Sequence, residues 1–309
     1  MKKLLTIFTL GLAVLGLTAC ASSDSAKKET RDFKAANGTV KIPKKIKKVV
    51  VQNYYDEAVT LKQNVVGTDS WSYPNPYLSK SEKKDVVDLG APMSAEKIAE
   101  ENPDLIITMD KDKVADYEKI APTVLVDYNS DGLKNMDESL DYFAELFDAE
   151  DAKDKFIKEF DKTADKEKKK LSDKGINPEN STIAIVELSA DKVYLYGDNW
   201  GRGGQALTRG LGFKESKEMQ EVSDGAGYKE VNIESLADLS ADYIFIDYAA
   251  ADKSQYENLT KNPVWKNIKA VKKNNVIQMD YNKVYYYGGP TASKALMSDY
   301  TSAILKTVK

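Results

Sequence analysis

Six short runs of β-branched and apolar residues lie along this chain with longer helical patterns between them, and that alternation constrains the fold more than any other feature. Val49-Val50-Val51, Leu105-Ile106-Ile107, Val124-Leu125-Val126, Ile183-Ala184-Ile185-Val186, Tyr243-Ile244-Phe245-Ile246 and Val276-Ile277 each read as a buried strand. Strands that alternate with helices predict an α/β protein with largely parallel sheets.

One stretch breaks the alternation. Leu140, Phe143, Phe147, Phe156, Phe160 and Ala164 make an apolar helical face between about 139 and 172, with Lys and Glu opposite, until Gly175 and Pro178 end it. A break near 148–151 divides this stretch into two helices. The second has roughly 20 residues, or about 30 Å at about 1.5 Å per residue. Because strands resume in the same style afterwards, it reads as a rigid connector between two Rossmann-like α/β lobes. The expected boundaries are a first lobe over 38–148, a connecting helix over 149–175 and a second lobe over 176–309.

The two halves echo each other. Glu96-Lys97-Ile98-Ala99 leads to Asp104-Leu105-Ile106-Ile107, and Glu234-Ser235-Leu236-Ala237 leads over the same interval to Asp242-Tyr243-Ile244-Phe245. Val126-Asp127-Tyr128-Asn129 likewise parallels Met279-Asp280-Tyr281-Asn282. A pseudo-repeat of this kind fits two similar lobes facing one cleft, a favoured place for a ligand.

The chain begins Met1-Lys2-Lys3 and runs apolar from Leu4 to Leu17, ending in Leu17-Thr18-Ala19-Cys20. A basic start, a short apolar run and small residues after it read as a secretory signal peptide over 1–19. The run is shorter than the about 20 residues a spanning helix needs. Cys20 is the only cysteine and stands where a bacterial lipobox places the lipidated residue, so the chain is expected to be anchored on the outer face of the cytoplasmic membrane. The small, polar and charged residues that follow, over 20–37, read as a flexible tether.

The sequence has no histidine, which removes His-ligated zinc, His-ligated haem and Ser-His-Asp catalysis. A net charge of −4 gives no electrostatic case for nucleic acid. Although Asp and Glu total 49, no motif sets two of them in a catalytic context, so a surface-anchored enzyme is a distant alternative.

The most distinctive segment is Tyr194-Leu195-Tyr196-Gly197-Asp198-Asn199-Trp200-Gly201-Arg202-Gly203-Gly204. Gly201, Gly203 and Ala206 formally match a dinucleotide-binding fingerprint. A large Trp and a charged Arg among the glycines argue against the close backbone approach that a pyrophosphate requires. The loop reads better as a presenter of Trp200 and Arg202, an aromatic face beside a planar fork of donors. That pair suits a compact ligand with carbon-rich flanks around an oxygen-lined metal centre. Core packing of Trp200 and a surface ion pair for Arg202 are the structural alternatives.

This segment resembles the signature of the FhuD-type hydroxamate-siderophore-binding lipoproteins of Gram-positive bacteria. The likeness extends over nearly the whole mature chain, including Pro103-Asp104-Leu105-Ile106-Ile107, Ala121-Pro122-Thr123-Val124 and Trp265-Lys266-Asn267. The resemblance implies the class III binding-protein fold, with two α/β lobes, a single long connecting helix, a shallow cleft and little hinge motion. It implies ligand contacts at Trp200, Arg202, Tyr194 and Tyr128. It adds Tyr286, where the family pattern has Trp, and Trp71 in a variable loop. It further implies docking on an ABC permease through one acidic residue per lobe, Glu96 and Glu234. Ser94 and Asn232 read as helix N-caps, which alone could place each Glu in a first turn. The expected ligand is a ferric hydroxamate siderophore of the ferrichrome or ferrioxamine class, its iron held by the chelator and not by the protein. A catecholate siderophore, haem bound without His, or a corrinoid are the alternative ligands. No cofactor is implied, and the chain is expected to act as a monomer.

Overall fold

In the computed structural model, residues 29–128, 133–285 and 288–307 are described. The expected signal peptide, the lipidation site Cys20 and the candidate contact Tyr286 lie outside the described residues.

A hairpin of β1 (Thr30–Ala35) and β2 (Gly38–Pro43) opens the described chain. The first sheet contains β3 (Val49–Val51), β4 (Val65–Thr68), β5 (Val87–Asp88), β6 (Leu105–Thr108) and β7 (Thr123–Leu125). Its order is β5-β4-β3-β6-β7, and every pairing is parallel. The second sheet contains β8 (Thr182–Ser189), β9 (Lys192–Tyr196), β10 (Lys214–Glu215), β11 (Tyr228–Val231), β12 (Tyr243–Tyr248) and β13 (Val276–Gln278). Its order is β11-β9-β8-β12-β13, with β10 beside β8. Here β8, β10, β12 and β13 run parallel, while β9 is antiparallel to both of its neighbours, β8 and β11. Central strands such as β3 are apolar throughout because both sheet faces are covered.

The internal echo has a structural counterpart. β3-β6-β7 and β8-β12-β13 are equivalent parallel triplets. In the first lobe the Asp104 carboxylate accepts the backbone N–H groups of Lys47 and Lys48 at 3.0 and 3.1 Å, just before β3. In the second, Asp242 accepts the N–H of Thr182 at 3.1 Å, at the start of β8. The same residue type therefore ties the same pair of strands together in both lobes.

Asn135 caps the helix Met136–Phe147, its side chain accepting the N–H of Glu138 at 2.9 Å, and Asp148 ends it in a left-handed conformation. The connecting helix, Glu150–Ser172, follows at once. Phe156, Phe160, Ala164 and Leu171 on its buried face join a single apolar cluster. That cluster runs from Val49 and Phe143 in the first lobe to Ile185, Phe245 and Tyr300 in the second. The lobes thus share a core as well as a connector. Separate apolar clusters cover the outer face of each sheet. No described helix is long and apolar enough to cross a membrane.

The tether expected over 20–37 ends earlier than the sequence suggested, because residues 30–35 form β1. Strand alternation turns the lone aromatic of this polar segment, Phe33, onto the core, where it is buried and meets Tyr142 edge-on at 5.5 Å. Arg31 fastens the hairpin by donating to the carbonyls of Glu145 and Leu146, each at 2.7 Å.

Candidate functional site

A cleft of about 210 Å³ lies between the lobes. One wall comes from the segments that follow the first sheet's strands: Asn53 to Glu57 after β3, Ser72 and Asn75 after β4, Met109 after β6 and Tyr128 after β7. Loops outside the carboxyl ends of parallel strands are where open α/β sheets bind ligands. The opposite wall is the glycine-rich segment from Asp198 to Gln205, together with Gly288 and Gly289.

Local geometry explains the glycines of that segment. Gly201, Arg202 and Gly203 all adopt positive φ, of 69°, 50° and 67°. A side chain at Gly203 would collide with the ring of Tyr300. The glycines therefore serve a sharp left-handed turn packed on the last helix, Pro290–Leu305. This turn leaves Trp200 part-exposed at the cleft wall and Arg202 buried.

Trp200 is 37 % exposed and lines the cleft. It meets Tyr128 edge-on at 5.7 Å and Tyr228 at 5.4 Å. The Tyr128 hydroxyl donates to the carbonyl of Asn199 at 3.2 Å, so a residue of the first lobe supports the loop of the second. Burial, aided by the charge of Asp198, pushes the Tyr128 phenol up to about 12.

Arg202 is almost fully buried, although it lines the cleft. Its Nε donates to Glu187 Oε2 at 2.8 Å and its Nη2 to the Tyr196 hydroxyl at 3.0 Å. The guanidinium lies over the Tyr196 ring at 3.9 Å and near the Tyr285 ring at 4.6 Å. It is thus a desolvated cation sandwiched by aromatics and already paired to a carboxylate. The loop sets the guanidinium beside aromatic faces, and the alternative of an ion pair for Arg202 also holds, though the pair is buried and not at the surface.

Two consecutive carboxyls form the floor. Asp56 is buried and accepts the backbone N–H groups of Thr291 and Ala292, each at 3.1 Å. Burial raises it above the usual range, against those hydrogen bonds. Glu57 accepts from the Ser139 hydroxyl at 3.1 Å, and burial followed by the charge of Asp56 pushes it up to about 8. Lys134 lines the cleft from an exposed position.

The structure therefore brings Trp200, Arg202 and Tyr128 together. Tyr194 is partly buried on β9, opposite Glu187 of β8, and is not part of the cleft lining. Trp71 is 56 % exposed on the loop whose Ser72 and Asn75 reach the cleft. The Asp69 carboxylate fixes that loop by accepting the N–H groups of Trp71 and Ser72 at 2.9 and 3.1 Å. Glu96 is exposed in the first turn of the helix Ala95–Glu101, which Ser94 caps through the N–H of Lys97. Glu234 is exposed in a short 3₁₀ turn, Glu234–Asp238, where Asn232 accepts the N–H of Ser235 at 2.7 Å. Tyr54, Asp56, Glu57, Glu187 and Tyr228 were missed. Glu187 had a readable signal, a lone charge inside the apolar strand Thr182–Ser189.

Comparison with known proteins gives consistent matches. A family model described as periplasmic binding protein matches residues 55–282. The iron(3+)-hydroxamate-binding protein YxeB of Bacillus subtilis is 37 % identical, across 95 % of this chain and 94 % of its own length. The FhuD protein from S. pseudintermedius superposes with a TM-score of 0.76 at 29 % identity, covering 90 % of this chain and 98 % of that one. FhuD2 from Staphylococcus aureus with bound ferrioxamine B superposes with a TM-score of 0.71 at 28 % identity, covering 85 % of this chain and all, 100 %, of that one.

Proposed function

Because the chain belongs to the periplasmic binding protein family, we propose that it captures ferric hydroxamate siderophores outside the cell and delivers them to an ABC permease for iron uptake. One observation carries this reading: the cleft joins an aromatic wall, Trp200 with Tyr128, to a guanidinium whose charge Glu187 already balances. A ferric trihydroxamate with an uncharged core needs apolar contact and a few donors to its oxygens. A tris-catecholate complex, carrying about three negative charges, needs several unpaired cations. Arg202 is committed to Glu187, and Asp56 and Glu57 lie on the floor, which favours the uncharged ligand. The names of YxeB and of the ferrioxamine-bound FhuD2 structure point the same way.

In this reading Trp200, Arg202 and Tyr128 touch the ligand, with Tyr286 and Trp71 as further contacts, while Tyr194 stands outside the cleft lining and is not among them. The iron stays in the chelator's oxygen shell. Cys20 carries the lipid anchor, residues 1–19 are removed, and Glu96 and Glu234 meet the permease. The experiment is a tryptophan-fluorescence titration of the purified protein with a ferric trihydroxamate, a ferric catecholate and haem. Saturable quenching by the trihydroxamate alone is expected. Tight binding of the catecholate or haem with none of the trihydroxamate overturns the reading.

A further inference from the structure

Arg202 has a second carboxyl behind its first. Glu187 on β8 and Asp247 on β12 are direct partners in the strand register, so their side chains emerge on the same sheet face. Both are about 2 % exposed, and each affects the other's ionisation. Asp247 Oδ1 is buried with no hydrogen-bond partner among the described residues. Two buried carboxyls side by side cannot both ionise at low cost, so the pair retains one proton.

The groups around this pair add no free charge beside it. The phenols of Tyr196, Tyr281 and Tyr300 are all pushed up by burial, and the ring of Tyr285 lies against the guanidinium. Asp252 acts on Glu187 from farther off. Burial first, and then the charge of Glu187, push Asp247 up to about 8. Burial also raises Glu187, with Arg202 opposing. With Glu187 ion-paired to Arg202, the cluster at neutral pH holds one positive and one negative charge, and the retained proton sits on Asp247.

We propose that Glu187 and Asp247 set the charge selectivity of the cleft by acting through Arg202: they cancel its charge and hold its fork so that uncharged ferric chelates are accepted and anionic ones refused. The proposal rests on the siderophore reading above and adds to it the residues that impose the ligand's charge. They are positioning residues, since neither lines the cleft.

The test compares dissociation constants for an uncharged ferric trihydroxamate and for anionic ferric citrate, using wild type, Asp247→Asn and the double variant Glu187→Gln with Asp247→Asn. Both are changed because, without the charge of Glu187, a remaining Asp247 would ionise in its place. In the double variant the guanidinium loses its counter-charge, and the affinity ratio should move toward citrate by about tenfold or more, the scale of one charge-assisted hydrogen bond. Between about pH 7 and about pH 9 the wild type should lose trihydroxamate affinity, because an ionised Asp247 competes for the rest of the guanidinium. Asp247→Asn should give a flat profile over the same range. A folded double variant with an unchanged ratio overturns the proposal. Should the double variant not fold, an Asp247→Asn profile that declines as the wild type does overturns it instead. A wild type that binds no trihydroxamate sinks the siderophore reading as well, which separates the two failures.

Discussion

Asp56 of the first lobe accepts the backbone N–H of Thr291 in the second at 3.1 Å, so the last helix is capped from across the cleft floor. Its other oxygen accepts the N–H of Ala292, also at 3.1 Å. Gly289 makes the approach possible, since a side chain there would strike the Asp56 carboxyl. An N-terminal turn satisfied by a carboxylate from the opposite lobe couples the lobes beside the connecting helix, where Lys294 of the same turn pairs with Glu159 at 3.3 Å.

Asp56→Ala should therefore lower unfolding free energy by about 1–3 kcal/mol, the cost of a lost cap whose N–H groups stay buried. Urea denaturation measures this. A variant with the wild-type midpoint and slope would show that the cap contributes nothing to holding the lobes.

Trp200→Ala should separate binding from folding. The side chain is 37 % exposed and rests on Tyr128 and Tyr228, so its loss leaves the shared core untouched. Trihydroxamate affinity should fall by about 1–3 kcal/mol, as for a truncated aromatic anchor, with little change in thermal midpoint. Calorimetric titration gives the first quantity and a thermal melt the second.

Glu57 supplies a pH prediction whose sign is fixed. Its folded-state carboxyl sits at about 8 against a reference value of 4.5. The folded protein binds the extra proton between those values, so stability falls as pH rises through that window. Glu57→Gln removes the titrating group and should flatten the fall, by at most about 4 kcal/mol between pH 5 and pH 8.5. Parallel pH–stability curves for the two proteins would contradict the raised value.

Charge reversal at Glu96 and Glu234 tests permease docking. Both side chains are exposed and lie outside the cleft lining, so Glu96→Lys with Glu234→Lys should leave siderophore affinity within about twofold while cutting cellular uptake about tenfold or more. Normal uptake by the double variant, with normal binding, would remove the docking role from these glutamates.

The fold was legible because its signals are local. The apolar runs at Val49, Leu105, Ile183 and Tyr243 became central strands, and the Phe143–Phe160 face became the two adjoining helices. The antiparallel direction of the strand Lys192–Tyr196 was less visible, since direction is set by pairing with β8 and not by local periodicity. Phe33 was one aromatic in a polar segment, and only its partner Tyr142 in the folded chain shows why the segment is ordered.

The sequence by itself determined the strand–helix alternation, the connector, the doubled lobe pattern and the turn that carries Trp200, because periodicity and glycine spacing are properties of neighbouring residues. Tertiary structure alone decided the electrostatics. Glu187 lies 15 positions before Arg202, and Asp247 reaches the same cluster only through the β8–β12 register. Whether a guanidinium offers a net charge to a ligand depends on what burial places within a few ångströms of it, and sheet pairing makes that choice between residues that are distant along the chain.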